Sequence, residues 1–205
     1  PPPPPPPKKK KNPGYAPAQK EYIICGSENK LIMIGIFIDY TKAFDLLNHE
    51  VLLQKLQHYG IRGIPLKLLR TYLQHRRQFV EIQGDCSSTL HIAAGVPQGS
   101  ILGPLLFIIY INDSFALSDD IKIIAYADDT SLFLRGKSAT ELVRKMNSFL
   151  TLLHSWSTND YLAINASKTK AVFFHSLGTT ITHSEPTFLG TSIIDIVDEV
   201  KSLVY

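Results

Sequence analysis

The chain has 205 residues, of which 44% are hydrophobic and 19% charged, a composition that is typical of a globular domain and argues against a disordered or collagen-like chain. Its net charge of +3 depends on the four lysines Lys8–Lys11, because the rest of the chain has 17 basic and 18 acidic residues. An acidic partner would therefore have to bind a local basic patch. With only two cysteines and no apolar run of the ~20 residues that a membrane span needs, we expect an intracellular protein of the nucleus or cytoplasm, neither secreted nor membrane-bound.

We expect residues 1–30 to form a disordered Pro/Lys-rich tail and linker. Seven prolines followed by four lysines begin the chain, which is typical of polyproline II and flexible linker segments. The segment also lacks the apolar core of a signal peptide. Two interpretations of the lysine run remain open: an unstructured tail, or a signal for nuclear localisation or nucleic-acid binding.

Strand and helix signals alternate from residue 31 onward. The continuous apolar run Leu31–Ile38 predicts a strand that is buried on both faces. Asn48 is placed to cap a helix that Gly60 ends, and Pro65 lies where the first turn of a second helix is expected.

The alternation continues through the rest of the chain. We predict short strands over Phe79–Ile82 and Thr89–Ile92, with a turn at Gly84 and Asp85 between them. A loop over Ala94–Ser100 and a buried helix over Ile101–Asn112 follow, and then strands over Ile121–Tyr126 and Ser131–Leu134. The last predicted elements are a helix that begins at the capping box Ser138–Glu141 and a strand over Ala171–Phe174. This order predicts an α+β sheet with helices on one face.

Acidic residues stand at the ends of two predicted strands. Asp39 follows the first buried strand, and Asp128 and Asp129 join the two strands of a later hairpin. If one sheet edge brings them together, three carboxylates would repel one another unless a cation lay between them, and oxygen ligands suit Mg²⁺ or Mn²⁺. Two such ions about 4 Å apart support phosphoryl transfer. Taken singly, Asp39 could instead cap a helix, and the pair could be turn residues.

Three segments around these acids resemble the first three palm motifs of reverse transcriptases. They are Phe37–Asp45 (FIDYTKAFD), Gly95–Pro104 (GVPQGSILGP) and Tyr126–Asp129 (YADD), and their form is closer to the non-LTR, LINE-like retrotransposons than to retroviruses. Three further segments show a resemblance. Arg76–Val80 resembles the region between the first two motifs, Asn165–Lys170 resembles the fourth motif, and Phe188–Gly190 resembles the primer grip. The resemblance runs in order from Ile36 to Gly190.

The resemblance implies a reverse-transcriptase palm, a ferredoxin-like antiparallel sheet with helices packed on one face. Residues 31–175 would form the palm with a remnant of the fingers. Residues 176–205 would form the primer-grip region and the truncated start of a thumb. The fingers and thumb are therefore expected to be largely missing from this sequence.

The resemblance also assigns catalytic and metal-binding roles. Asp39 and Asp128 would hold two Mg²⁺ or Mn²⁺ ions, Asp129 would be an outer partner, and the backbone carbonyl of Tyr40 would complete one coordination shell. The three aspartates would catalyse the attack of a primer 3′-hydroxyl on the α-phosphate of a nucleotide, with pyrophosphate as the leaving group.

Nucleotide-binding roles follow in the same way. Phe44 would exclude a 2′-hydroxyl, Gln98 and Gly99 would lie under the nascent base pair, and Lys168 would protonate pyrophosphate. Phe44 could instead be a core residue, and Lys168 could be an ordinary exposed lysine.

Nucleic-acid contacts are expected from Arg76, Arg77, Tyr126, Leu189 and Gly190. The two arginines, with His75, form a basic cluster that suits template phosphates. A solvated helix end is the competing interpretation of that cluster.

The implied function is an RNA-directed DNA polymerase palm from a retrotransposon, with an RNA template, a DNA primer and deoxynucleotides as partners. The alternative is a catalytically dead retroelement relic that at most binds nucleic acid. A nucleotide cyclase would fit the acidic hairpin but would explain neither the GVPQGS loop nor the KAFD segment. The oligomeric state stays open.

Overall fold

The computed structural model describes residues 15–28, 31–74, 76–97, 99–175, 181 and 185–198. Its helices are α1 (Tyr15–Glu28), α2 (His49–His58), α3 (Gly63–Leu73), α4 (Leu102–Ile111), a 3-10 helix (Asn112–Leu117) and α5 (Ala139–Asn159). Its strands are β1 (Ile32–Ile38), β2 (Arg77–Gln78), β3 (Glu81–Ile82), β4 (Asp85–Cys86), β5 (Leu90–His91), β6 (Lys122–Tyr126), β7 (Asp129–Gly136), β8 (Lys170–Phe174), β9 (Thr187–Leu189) and β10 (Ser192–Ile196).

A six-stranded sheet in the order β6-β7-β1-β8-β10-β9 forms the centre of the fold. Neighbouring strands are antiparallel except for β8 and β10. The predicted first strand is confirmed as β1, which is bonded on both edges and buried along most of its length. Gly35 lies at its middle, where a Cβ would come within 3.0 Å of the rings of Phe133 and Phe174. Glycine therefore lets both rings close over the strand.

The predicted α+β class is confirmed, and the main helical layer covers one face of the sheet. Ile34 and Ile36 of β1 point into this layer and share a core with Leu52 of α2, Leu106 of α4 and Val143 of α5. The caps that the sequence indicated are present. The Asn48 side chain accepts hydrogen bonds from the first turn of α2, and the Ser138 hydroxyl accepts one from the backbone of Glu141 in α5.

Within the expected tail and linker of residues 1–30, the described residues 15–28 form a helix instead: α1, which occupies the opposite face of the sheet. The ring of Tyr22 lies 5.8 Å from that of Phe133, within a second cluster that also contains Met33 and Phe37. Pro17 falls in the first turn of α1, where a helix tolerates proline. Contacts with the sheet stabilise this helix, so local sequence signals did not predict it.

The expected hairpin of two strands between residues 79 and 92 is replaced by two short ladders. Strand β2 pairs with β5, and β3 pairs with β4 around a turn at Gln83 and Gly84, one residue earlier than predicted. Phe79, Val80 and Ile82 are exposed here. No core fixes the pairing of these strands, so the pattern of apolar residues gave the wrong boundaries.

The chain after residue 185 joins the same sheet as the predicted palm. Strands β9 and β10 form a hairpin, and β10 pairs with β8. The side chain of Asn147 on α5 holds the hairpin, donating to the Pro186 carbonyl at 2.9 Å and accepting from the Phe188 N–H at 3.0 Å. The division of the chain by role at residue 175 stays a prediction.

Among the described helices, none has both the length and the apolar character for a membrane crossing.

A partly buried lysine ties the helical layer together. The ammonium of Lys55 on α2 donates to the Tyr110 carbonyl at 2.6 Å, to Asp113 at 2.8 Å and to Asp160. It also lies 5.1 Å from the centre of the Trp156 ring. Burial raises the pKa of the Asp160 carboxyl, although the hydrogen bond and charge of Lys55 oppose this. Lys55 thus links α2, α4 and the end of α5.

We predict that Lys55→Met lowers the free energy of unfolding by about 3 kcal/mol or more, because it leaves the carboxylate of Asp160 without its partner. The matched control is Lys145→Met, which removes an exposed ion pair with Glu141 and should cost at most about 0.5 kcal/mol. Urea denaturation measures both values. Equal losses in the two variants would contradict a structural role for the Lys55 cluster.

Candidate active site

The pairing of β1 with β7 brings the predicted acidic residues to one edge of the sheet. The last pair of that ladder is Ile38 with Thr130. One further step in the same register sets Asp39 opposite Asp129, and facing residues of antiparallel strands have Cα atoms about 5 Å apart. Asp128 is the next residue of the turn.

A tight turn presents the two neighbouring aspartates. Tyr126 and Asp129 are the last pair of the β6–β7 hairpin, so only Ala127 and Asp128 form the turn. Ala127 has a φ of 51°, a left-handed conformation that is uncommon for a residue with a side chain. Tyr126 is exposed beside the turn.

The backbone of Asp39 is held by the segment that resembles the fourth motif. Its N–H donates to the Thr169 hydroxyl at 3.3 Å, and its carbonyl accepts from the N–H of Asn165 at 2.7 Å. Lys168 lies in the turn between these two partners, and its N–H donates to the Asn165 carbonyl at 3.2 Å. The backbone of Lys168 is therefore linked to that of Asp39 through Asn165.

The two predicted aromatic residues after Asp39 pack against the same ring. Tyr40 and Phe44 lie 5.8 and 5.2 Å from Phe107 of α4, measured between ring centres. Burial raises the pKa of the Tyr40 hydroxyl to about 12, and the side chain of Tyr40 is part of the core. Phe44 is partly buried, so it contributes to the core and keeps an exposed part.

The glycine-rich loop is bonded to the segment that follows Asp39. The N–H groups of Gly95 and Val96 donate to the carbonyls of Leu47 and Phe44, both at 2.8 Å. The buried ring of His49 donates from Nε2 to the Gly95 carbonyl at 2.7 Å. This histidine was missed because its partner is distant in sequence and it shows no metal-ligand spacing.

The loop keeps open space at the position predicted to lie under a base pair. Gly99 has a φ of 79°, and a Cβ there would meet no atom within 4 Å. Gln98 and His75 lie outside the described residues.

The predicted nucleic-acid contacts are separated by the fold. Arg76 and Arg77 lie at the base of the exposed ladders, where Arg77 pairs with His91. The side chain of Leu189 is 6% exposed and packs in the core, so a nucleic-acid contact of this residue stays a prediction for its backbone. Gly190 lies in the β9–β10 turn with a φ of 60°, against the ring of His154.

The carboxylates fit a divalent cation by their chemistry and their position in the sheet. Asp39, Asp128 and Asp129 supply only oxygen ligands, which Mg²⁺ and Mn²⁺ prefer. In the described part of the chain, however, no three His, Cys, Asp or Glu side chains converge on a common point. Binding would therefore require these side chains to rotate at backbone positions that already face one another.

The fold is similar to that of two solved telomerase chains. Two structures of telomerase from Candida tropicalis match this chain with TM-scores of 0.57 and 0.59 at 13% identity. They cover 80% and 90% of this chain and 36% and 33% of the respective telomerase chains. This similarity concerns the fold.

The sequence belongs to the reverse transcriptase family, because the family model described as "Reverse transcriptase (RNA-dependent DNA polymerase)" matches residues 12–193. Among curated relatives, the chain is 34% identical over 154 residues to "RNA-directed DNA polymerase from mobile element jockey" of Drosophila melanogaster. It is 31% identical over 162 residues to "Probable RNA-directed DNA polymerase from transposon BS" of the same species. These alignments cover 72% and 73% of this chain and 17% of each relative. The predicted origin in non-LTR retrotransposons is confirmed.

We predict that Gly95→Ala lowers the free energy of unfolding by about 3 kcal/mol or more. Gly95 has a φ of 84°, and a Cβ there would lie 2.7 Å from the Asp45 carbonyl oxygen. The control is Gly60→Ala, where φ is 91° but no atom lies within 4 Å, so that only backbone strain of about 1–2 kcal/mol is expected. Chemical denaturation of both variants measures the difference, and equal losses would contradict the close packing of the loop.

Proposed function

We propose that this chain is the palm of an RNA-directed DNA polymerase, which adds a deoxynucleotide to a primer 3′-hydroxyl opposite an RNA template. The observation that carries the proposal is the β1–β7 register, which sets Asp39 opposite Asp129 and next to Asp128. The family match and the curated relatives, whose names describe RNA-directed DNA polymerases, support it. Because the chain spans 17% of those relatives, the activity of a whole protein is part of the proposal.

We propose Asp39 and Asp128 as ligands of two divalent ions, Mg²⁺ or Mn²⁺, with Asp129 as an outer partner. The Tyr40 carbonyl is a further ligand. Asp39 and Thr41 are bonded to Asn165 and Ala163, respectively. Because neighbouring carbonyls of an extended chain point to opposite sides, we expect the Tyr40 carbonyl to point away from this segment, toward β7. Such ions supply activation of the attacking hydroxyl and neutralisation of charge on the triphosphate.

The residues around the carboxylates contribute by holding their positions before the reaction. The Asp39 backbone is bonded to Thr169 and Asn165, so it does not have to be ordered when substrate binds. The partly exposed ring of Phe44 would exclude a 2′-hydroxyl, and Lys168 would approach the pyrophosphate from the turn beside Asp39. The open space at Gly99 suits the close approach of a base pair.

Arg76 and Arg77, exposed Tyr126 and the Gly190 turn are the proposed contacts with template and primer. The arginine side chains suit phosphate groups, and the exposed tyrosine ring suits stacking on a base. The contribution of Leu189 would be limited to its backbone, since its side chain belongs to the core.

We predict that Asp128→Asn lowers template-dependent primer extension by at least about a hundredfold, because a metal ligand loses its charge. The control is Asp119→Asn, an exposed residue before β6, at the end of that strand far from the turn; its rate should match the wild type. The assay measures deoxynucleotide addition to a DNA primer on an RNA template. Primer extension that survives Asp128→Asn would contradict the proposal. A wild-type chain that shows neither primer extension nor Asp39-dependent Mn²⁺ binding would favour the alternative, a catalytically dead retroelement relic.

We predict that Phe44→Val raises the incorporation of ribonucleotides relative to deoxynucleotides by at least about tenfold, since the smaller side chain leaves room for a 2′-hydroxyl. Phe115→Val, which also shortens an aromatic side chain packed against the core, serves as the control and should leave the ratio unchanged. Single-nucleotide addition with each substrate measures the ratio. An unchanged ratio in Phe44→Val would assign this ring to the core alone.

A further inference from the structure

A buried side chain of α1 is bonded to the strand that carries the acidic turn. The amide nitrogen of Gln19 donates to the hydroxyl of Ser131 at 2.8 Å. Gln19 is 0% exposed and Ser131 is 1% exposed. Ser131 is the second residue after Asp129 on β7, so this contact lies next to the candidate metal site on the same face of the strand.

The contact belongs to a row that aligns α1 with one face of β7. Ser131, Phe133 and Arg135 alternate along the strand and therefore point to the same side. Tyr22 contacts both Phe133 and Arg135, whose guanidinium carbon lies 5.2 Å from the centre of the tyrosine ring. Gln19, one helical turn before Tyr22, is therefore the contact of this row that is closest to the acidic turn.

Packing alone does not explain a glutamine at this position. Its side-chain oxygen has no hydrogen-bond partner in the part of the chain that the structure describes. A buried polar atom without a partner costs about 1–3 kcal/mol, which offsets the roughly 0.5–1.5 kcal/mol that the hydrogen bond to Ser131 contributes. The amide therefore adds little net stability to the fold, and its observed contact is with the strand of Asp129.

We propose that Gln19 is a positioning residue, which holds β7 at Ser131 and so sets the distance of Asp128 and Asp129 from Asp39. This inference rests on the proposed function. Strand β6 is at the edge of the sheet, so the β6–β7 turn is tied to the sheet through β7 alone. The bond from α1 restrains this strand from the face opposite the main helical layer.

The test compares the Mn²⁺ affinity and the thermal stability of the full chain. Gln19→Leu should weaken the Asp39-dependent binding of Mn²⁺ by about tenfold, as changes of residues behind metal ligands commonly do, and should leave the melting temperature unchanged or raised. The electron paramagnetic resonance signal of free Mn²⁺ measures the affinity. Ser131→Ala removes the partner atom and should weaken binding similarly.

The matched control is Tyr22→Leu, which removes ring contacts of α1 without touching the Gln19 bond. It should lower the melting temperature and change the Mn²⁺ affinity by less than about twofold. Wild-type affinity in both Gln19→Leu and Ser131→Ala would overturn the inference and leave the proposed function standing. Affinity that falls in all three variants in proportion to stability would also overturn it. A wild-type chain with no Asp39-dependent Mn²⁺ site would overturn the proposed function together with it.

Discussion

The antiparallel pairing of β1 with β7 is the constraint on which the candidate site depends. Side chains alternate between the faces of a strand, so a shift of one residue would exchange the apolar faces of β1 and move Asp39 away from Asp129. The register is fixed because both faces of β1 are buried and because Gly35 admits the rings of Phe133 and Phe174 at one position. The packing of the core thus determines the geometry of the acidic residues.

The motifs are then joined through their backbones. The Asn165 segment is bonded to Asp39, and the Gly95 loop is bonded to Phe44 and Leu47. These hydrogen bonds engage main-chain atoms and not the carboxylates or the ring of Phe44. They also explain why segments that are far apart in sequence form one site at the sheet edge.

Local signals predicted the elements that their own residues stabilise. The apolar run predicted β1, and the caps Asn48 and Ser138 predicted α2 and α5. The site itself was accessible only because its motifs resemble those of a known family. What depends on distant partners was not predictable: α1 is held by contacts of Gln19 and Tyr22 with β7, and the exposed ladders have no core to fix their ends. The burial of Leu189 likewise follows from the docking of its hairpin on α5.

The shared metal site of Asp39 and Asp128 is tested by the anomalous diffraction of a crystal soaked in Mn²⁺. If Asp39 and Asp128 share the ions, we expect an anomalous peak at the edge of the sheet, about 2.0–2.6 Å from carboxylate oxygens of both residues. We expect no such peak in a crystal of the Asp39→Asn chain. Two results would contradict a metal site shared by Asp39 and Asp128. One is a well-occupied ion that binds elsewhere, and the other is a pair of carboxylates that stay apart at saturating metal.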